Sequence, residues 1–163
     1  MKPIRTPFFF LLTVWILIVF ANQCNAKDLS TQELASLIRP IEPYAMQYGS
    51  GNITAYVFID PKCPHSRDFI SMLYENEKMR GIYHYYIFFY ELKRFKSHKL
   101  IGTIYTSPTP LQKTLEVMVG GKKMDEMKSL SAKVNEQIGA IEQVAKTIGI
   151  KKRPYLIIAK EWN

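Results

Sequence analysis

Two apolar runs with a helix-patterned stretch between them place the strongest constraint on how this chain can fold. Ile53 to Ile59 and residues 82–90 are both rich in β-branched and aromatic side chains. The first run is continuous and suits a strand buried on both faces, which predicts a sheet covered on both sides, and residues 82–90 predict a second strong strand. Between them, Pro64 stands where the first turn of a helix tolerates proline. Phe69, Ile70 and Leu73 then give one apolar helical face, and Gly81 is expected to end the helix. A strand, a long helical connection and a second strand predict a right-handed βαβ unit.

The remaining elements follow from spacing and punctuation. Residues 28–38 predict a short helix capped by Ser30 or Thr31, with Leu34, Leu37 and Ile38 on one face and Pro40 and Pro43 at its end. Residues 44–48 predict a strand, closed by the turn cluster Gly49-Ser50-Gly51-Asn52. Residues 100–105 suggest a short helix, and Leu111, Leu115, Met118 and Val119 another, stopped by Gly120-Gly121. Ile138, Ile141, Val144, Ala145 and Ile148 mark a longer helix with Gly149 as its stop. Tyr155 to Ala159 is a third apolar strand.

Residues 1–26 have the layout of a secretory signal peptide: Lys2 and Arg5, an apolar core over 7–21, and the small-residue exit Cys24-Asn25-Ala26. The core falls short of the ~20 residues of a comfortable membrane span. Export to the periplasm is therefore expected. The alternative is an inner-membrane anchor formed by residues 7–21, which would leave the protein membrane-associated. Removing 26 of 163 residues leaves 137, the size of one domain. The expected division is residues 27–52 as an N-terminal helix and strand, then 53–163 as the main domain with a helical insert at about 97–148. Losing Lys2 and Arg5 lowers the formal charge from +8 to +6. That excess favours anionic partners or membrane surfaces without forming a nucleic-acid footprint.

Cleavage also removes Cys24, so Cys63 becomes an unpaired thiol in a disulfide-permitting compartment, a candidate reactive site. It lies in Phe58-Ile59-Asp60-Pro61-Lys62-Cys63-Pro64-His65-Ser66, between a strand end and a helix start. The thiolate is the nucleophilic form of cysteine. A helix N-terminus favours negative charge, and Lys62, His65 and Arg67 are sequence neighbours. Arg153 joins them if the loop before Tyr155 packs here. Together these predict a sulfur that ionises readily. The competing reading is an inert buried cysteine, which the position between lysine and proline argues against. Cys63 and His65 alone do not make a closed metal site, so no metal is expected.

Phe-x-Asp-Pro-x-Cys-Pro followed by a helix, together with a late Arg-Pro that opens a strand, resembles the thioredoxin-like domain of periplasmic disulfide isomerases of the DsbC/DsbG type. The similarity spans residues 44–159. It implies an α/β, thioredoxin-like fold with a helical insert. By position it makes Cys63 the nucleophile, Ser66 the occupant of the resolving-cysteine position and Pro154 the cis-proline. Asp60 matches the acidic residue ahead of the motif, with Pro64, His65 and Arg153 in support. A cis bond at Pro154 would turn the chain and set a free backbone edge beside the thiol, where a substrate peptide can pair.

Three departures accompany the resemblance. Ser66 cannot resolve a mixed disulfide, so release needs another thiol. Arg153 stands where Thr or Val is more usual. The family's last strand and helix are lacking, which predicts an exposed apolar edge at Tyr155 to Ala159. Residues 44–48, a partner or a second copy of the chain, as an oligomer, are expected to cover that edge.

The expected function is exported, monothiol thiol–disulfide exchange through Cys63, as an isomerase-like protein or a mixed-disulfide carrier. No cofactor is expected; glutathione or another thiol would be a co-substrate, its carboxylates received by basic residues near Cys63. The expected partners are cysteine-containing exported proteins and a redox partner protein. The alternative is a redox-silent component of a bacterial envelope or secretion complex that keeps the fold. The basic run 93–99 is read as a solvated loop, with an anionic partner or the membrane face as the sharper option. Residues 83–86 are read as sheet packing, and no nucleic-acid partner is expected.

Overall fold

The computed structural model describes residues 29–159. The expected signal peptide at 1–26 and the alternative anchor at 7–21 lie outside the described residues. Four strands form one sheet: β1 (Met46–Tyr48), β2 (Ile53–Ile59), β3 (Tyr83–Phe89) and β4 (Tyr155–Ala159), in the order β1-β3-β2-β4. The two apolar runs are the central pair and lie parallel, from Ile53 opposite Tyr83 to Ile59 opposite Phe89. The outer strands are antiparallel: Met46 faces Ile87, and Tyr155 faces Phe58.

Helices cover both faces. They are α1 (Thr31–Ile38), α2 (Pro64–Glu75), α3 (Glu77–Ile82), α4 (His98–Thr106), α5 (Pro110–Met118) and α6 (Ala132–Ile148). Among the described residues, no helix is long and apolar enough to cross a membrane.

Because side chains alternate along a strand, each central strand feeds two cores. Ala55, Val57 and Ile59 join Tyr85, Ile87 and Phe89 against Ile70 and Leu73 of α2 and Ile101 and Ile104 of α4. Tyr56, Phe58 and Phe88 face the other way, against Ile38, Ile41, Ile141 and Ala145. Phe58 and Phe88, paired in register, stack with centroids 5.1 Å apart. Burying one such large side chain contributes roughly 1.5–3 kcal/mol. The double-sided burial expected from the first run is what the fold shows.

Several boundaries differ from the expected ones, each for a local polar reason. α1 starts at Thr31 because Ser30 and Glu33 form a capping box. It runs on into a 3₁₀ turn over Arg39–Tyr44 rather than stopping at Pro40. The helix after Cys63 ends at Glu75, well before Gly81. Asn76 leaves helical geometry, and its side chain accepts the Met79 N–H to start α3, so Gly81 sits inside that second helix. α6 begins earlier than its apolar spacing implies, because Ser131 caps it by accepting the Val134 N–H. Gly149 ends it in the left-handed region, at φ 82°. Gly51 is needed for close approach: a Cβ there would lie 2.0 Å from the carbonyl carbon of Ile82.

The cover expected over Tyr155–Ala159 is corrected in one respect. Residues 46–48 pair with β3 at the opposite edge of the sheet. Met46 is buried in the first core, where the Thr114 hydroxyl meets its sulfur at 3.1 Å, and this fixes β1 on that side. Among the described residues the outer edge of β4 has no strand beside it. Tyr155, Leu156 and Ile158 are 37%, 41% and 38% exposed.

Candidate thiol site

The site is built where β2 ends. The chain turns through Asp60, Pro61 and Lys62, and the turn is closed by two bonds to Asp60. The Cys63 N–H donates to its carbonyl at 3.0 Å, and the Lys62 N–H donates to its Oδ1 at 2.8 Å. This delivers Cys63 to the N-cap of α2 in an extended conformation, with Pro64 as the first helical residue. The Cys63 side chain caps nothing. Its thiol instead donates to the Arg153 carbonyl, at 3.9 Å. The Arg153–Pro154 bond is cis, as expected. Two segments ninety residues apart in sequence thus meet at one sulfur.

Two expectations about the sulfur need correction. First, Cys63 is 1% exposed, although its place between lysine and proline argued against burial. The bend at 153–154 brings main chain against the sulfur, and position along the sequence gives no sign of that. Second, the neighbouring basic side chains make their hydrogen bonds to groups other than the sulfur. Lys62 Nζ donates to the Lys96 carbonyl at 3.1 Å and pairs with Glu126 at 2.7 Å. Arg67 donates to the carbonyls of Pro61 and Val117, each at 3.0 Å. His65 is exposed and lies 4.0 Å from Asp68. Arg153 donates to the carbonyls of Tyr90 and Glu91 at 2.9 and 3.2 Å, and its guanidinium stacks on the Tyr90 ring at 3.6 Å. Burial pulls the Arg153 guanidinium below its ordinary pKa, opposed by Tyr90, Asp60 and Cys63. Arg153 interacts electrostatically with Cys63.

Asp60 is a fastener and does not touch the sulfur through its carboxylate. It is fully buried and accepts from the Lys62 and Leu92 N–H groups and from the Ser97 hydroxyl, the last at 2.8 Å. Ser66 is also fully buried, and its Oγ accepts the Asp60 N–H at 3.2 Å. The hydroxyl at the expected resolving position therefore braces the turn that carries Cys63.

Sequence reasoning missed Tyr90, Leu92 and Ser97, which join the site from the far end of β3. The signal was faint: Ser97 is the one small hydroxyl inside the basic run, and here it is buried while Lys93, Arg94, Lys96 and Lys99 are exposed. Among the described residues no group of three or more His, Cys, Asp or Glu is placed to hold a metal ion.

A parallel β2/β3 pair joined through α2, an antiparallel β4 opened by a cis-proline and a cysteine at the N-cap of α2 define the architecture. The fold is thioredoxin-like. Proteus mirabilis ScsC in a compact conformation superposes with a TM-score of 0.61, at 12% identity, over 93% of this chain and 81% of that one. In a transitional conformation it gives 0.60 at 15% identity, over 95% and 81%. The thiol-disulfide exchange protein alpha-DsbA2 from Wolbachia pipientis gives 0.50 at 12% identity, over 78% and 84%. At these identities the likeness is one of fold. No family model and no curated protein matches the sequence.

Proposed function

We propose that this thioredoxin-like protein is exported to the periplasm and carries out thiol–disulfide exchange through Cys63. The observation that carries this reading is the meeting of the Cys63 sulfur, at the N-cap of α2, with the backbone of the cis Arg153–Pro154 bend. That bend gives a substrate peptide a main chain to pair with beside the sulfur. Alpha-DsbA2, a structural neighbour, is a thiol-disulfide exchange protein, which agrees with the reading.

Cys63 is the one cysteine among the described residues and is free. With Ser66 bonded to the Asp60 N–H, no second sulfur lies at the resolving position. A mixed disulfide with a cysteine-containing exported protein therefore persists until an outside thiol attacks it. That favours isomerase-like shuffling, or carriage of a mixed disulfide, over dithiol oxidation. Because Cys63 is buried, reaction follows local opening of the 150–154 segment, the kind of sub-global motion that binding loops make.

The test is to isolate the exported protein under alkylation quench and analyse it by non-reducing gel and mass spectrometry. Sulfur-linked adducts at Cys63, lost in Cys63→Ala, are expected. A folded protein that forms no adduct with any disulfide, in cells or in vitro, refutes the reading.

A second reading has its own observation. The sulfur is buried and three of the four neighbouring cations are occupied elsewhere, as suits a redox-silent binding or assembly component. Under that reading Cys63→Ala leaves every phenotype intact.

A further inference from the structure

Resting on the exchange reaction proposed for Cys63, we propose that the cleft beside it binds an anionic small thiol of glutathione's chemistry, the outside sulfur that the site lacks. The cleft has a volume of about 480 Å³ and is lined by Glu91, Lys93, Lys96, His98, Lys99 and Glu126. Lys93, Lys96 and Lys99 are exposed, and none is ion-paired among the described residues. The two acids are partly committed: Glu126 holds Lys62, and Glu91 Oε1 accepts the His98 N–H. The cleft thus offers three ammonium groups, none held in an ion pair, beside two carboxylates that each keep one oxygen to spare. A tripeptide thiol with two carboxylates and one ammonium matches that arrangement of charge. A uniformly acidic polypeptide would meet Glu91 and Glu126. A membrane surface would not enter a concavity.

The cleft is tied to the thiol turn. Lys62, the residue before Cys63, bonds two of the cleft's lining residues, donating to the Lys96 carbonyl and pairing with Glu126. Asp60 holds Leu92 and Ser97, which flank the lysine-bearing loop. On the other side, Arg153, whose carbonyl covers the sulfur, donates to the carbonyl of the cleft residue Glu91 at 3.2 Å.

The chemistry balances. A small thiol gives its proton to solvent, and its thiolate attacks the Cys63 sulfur of the Cys63–substrate mixed disulfide. A Cys63–small-thiol S–S bond forms as the Cys63–substrate S–S bond breaks, and the electron pair leaves on the substrate thiolate, which takes up a proton. A second small thiolate then attacks the bound small-thiol sulfur, releasing the Cys63 thiolate and forming the small disulfide. The two small thiols are the reductant, and their two electrons end on the substrate's sulfurs.

The test compares rates of Cys63 mixed-disulfide formation with glutathione disulfide, with the uncharged hydroxyethyl disulfide and with a disulfide-linked acidic peptide. Each is measured on the mature protein and on its Lys93→Gln/Lys96→Gln/Lys99→Gln variant. The expected result is a preference for glutathione disulfide over the uncharged reagent that falls about tenfold in the variant, at the modest strength of exposed charge pairs. The preference also falls with added salt, and the rate with hydroxyethyl disulfide stays unchanged. An equal preference in both proteins overturns the inference and leaves the exchange reading standing. A lysine dependence seen with the acidic peptide alone overturns it in favour of a polypeptide ligand. No reaction with any of the three overturns both.

Discussion

Replacing Asp60 with alanine tests whether one buried carboxylate holds the thiol turn to the loop after β3. Three donors converge on it: the N–H groups of Lys62 and Leu92 and the Ser97 hydroxyl. A hydrogen bond to a charged group contributes about 1.5–3 kcal/mol net. Three taken singly would overshoot, because the donors share one acceptor and water enters the vacated space. Removing one partner from a buried charged cluster costs about 3–5 kcal/mol, and that is the loss expected here. In urea, at the ~1–3 kcal/mol/M slope of a small domain, the midpoint falls by about 2 M. Ser97→Ala should cost less, about 1–2 kcal/mol, since one bond is lost and Asp60 keeps two. Alkylation of Cys63 in the native protein should quicken in Asp60→Ala, because the turn that places the sulfur is released. A loss below about 1 kcal/mol with an unchanged denaturant slope would refute the idea that this carboxylate fastens the two segments.

Three further outcomes are expected. Ser66→Cys should form an intramolecular disulfide with Cys63, seen as a non-alkylatable pair by mass spectrometry, with a small stability loss from weakening the bond to the Asp60 N–H; two free thiols after oxidation would contradict the positional match. Gly51→Ala should cost more than about 2 kcal/mol by chemical denaturation, because the added methyl meets main chain of Ile82 and Tyr83 rather than a flexible side chain. Stability should fall as pH rises past about 10, the ordinary tyrosine value. Burial raises Tyr56, Tyr85 and Tyr105 above that value in the folded state, with the Glu42 bond adding to it at Tyr56. The unfolded chain thus loses protons first. Tyr56→Phe with Tyr105→Phe should flatten the alkaline limb, and an unchanged limb would exclude these groups.

What could be read from the residues was whatever depends on pattern. Ile53–Ile59 is a continuous apolar run, and that alone pointed to a strand buried on both faces of a covered sheet. Gly149 ended α6 because a left-handed stop favours glycine. What could not be read was whatever depends on which polar group finds which. Asn76 divides a helix that apolar spacing runs straight through to Gly81, since a side-chain oxygen on a backbone N–H outcompetes periodicity at one residue. Ser66 looked like a missing thiol and is a brace; Asp60 looked like an acid beside a thiol and is a fastener. The first role depends on the Asp60 N–H and the second on partners at 92 and 97, which no local spacing announces. The resemblance supplied the meeting of Cys63 with the Arg153–Pro154 bend, which a sequence separation of ninety conceals.

One residue faces two ways. The carbonyl of Arg153 rests on the sulfur, and two positions later the same backbone enters β4, whose outer margin has no strand beside it among the described residues. The rim of the sheet and the cover of the thiol are thus consecutive stretches of one short segment, separated by a single proline.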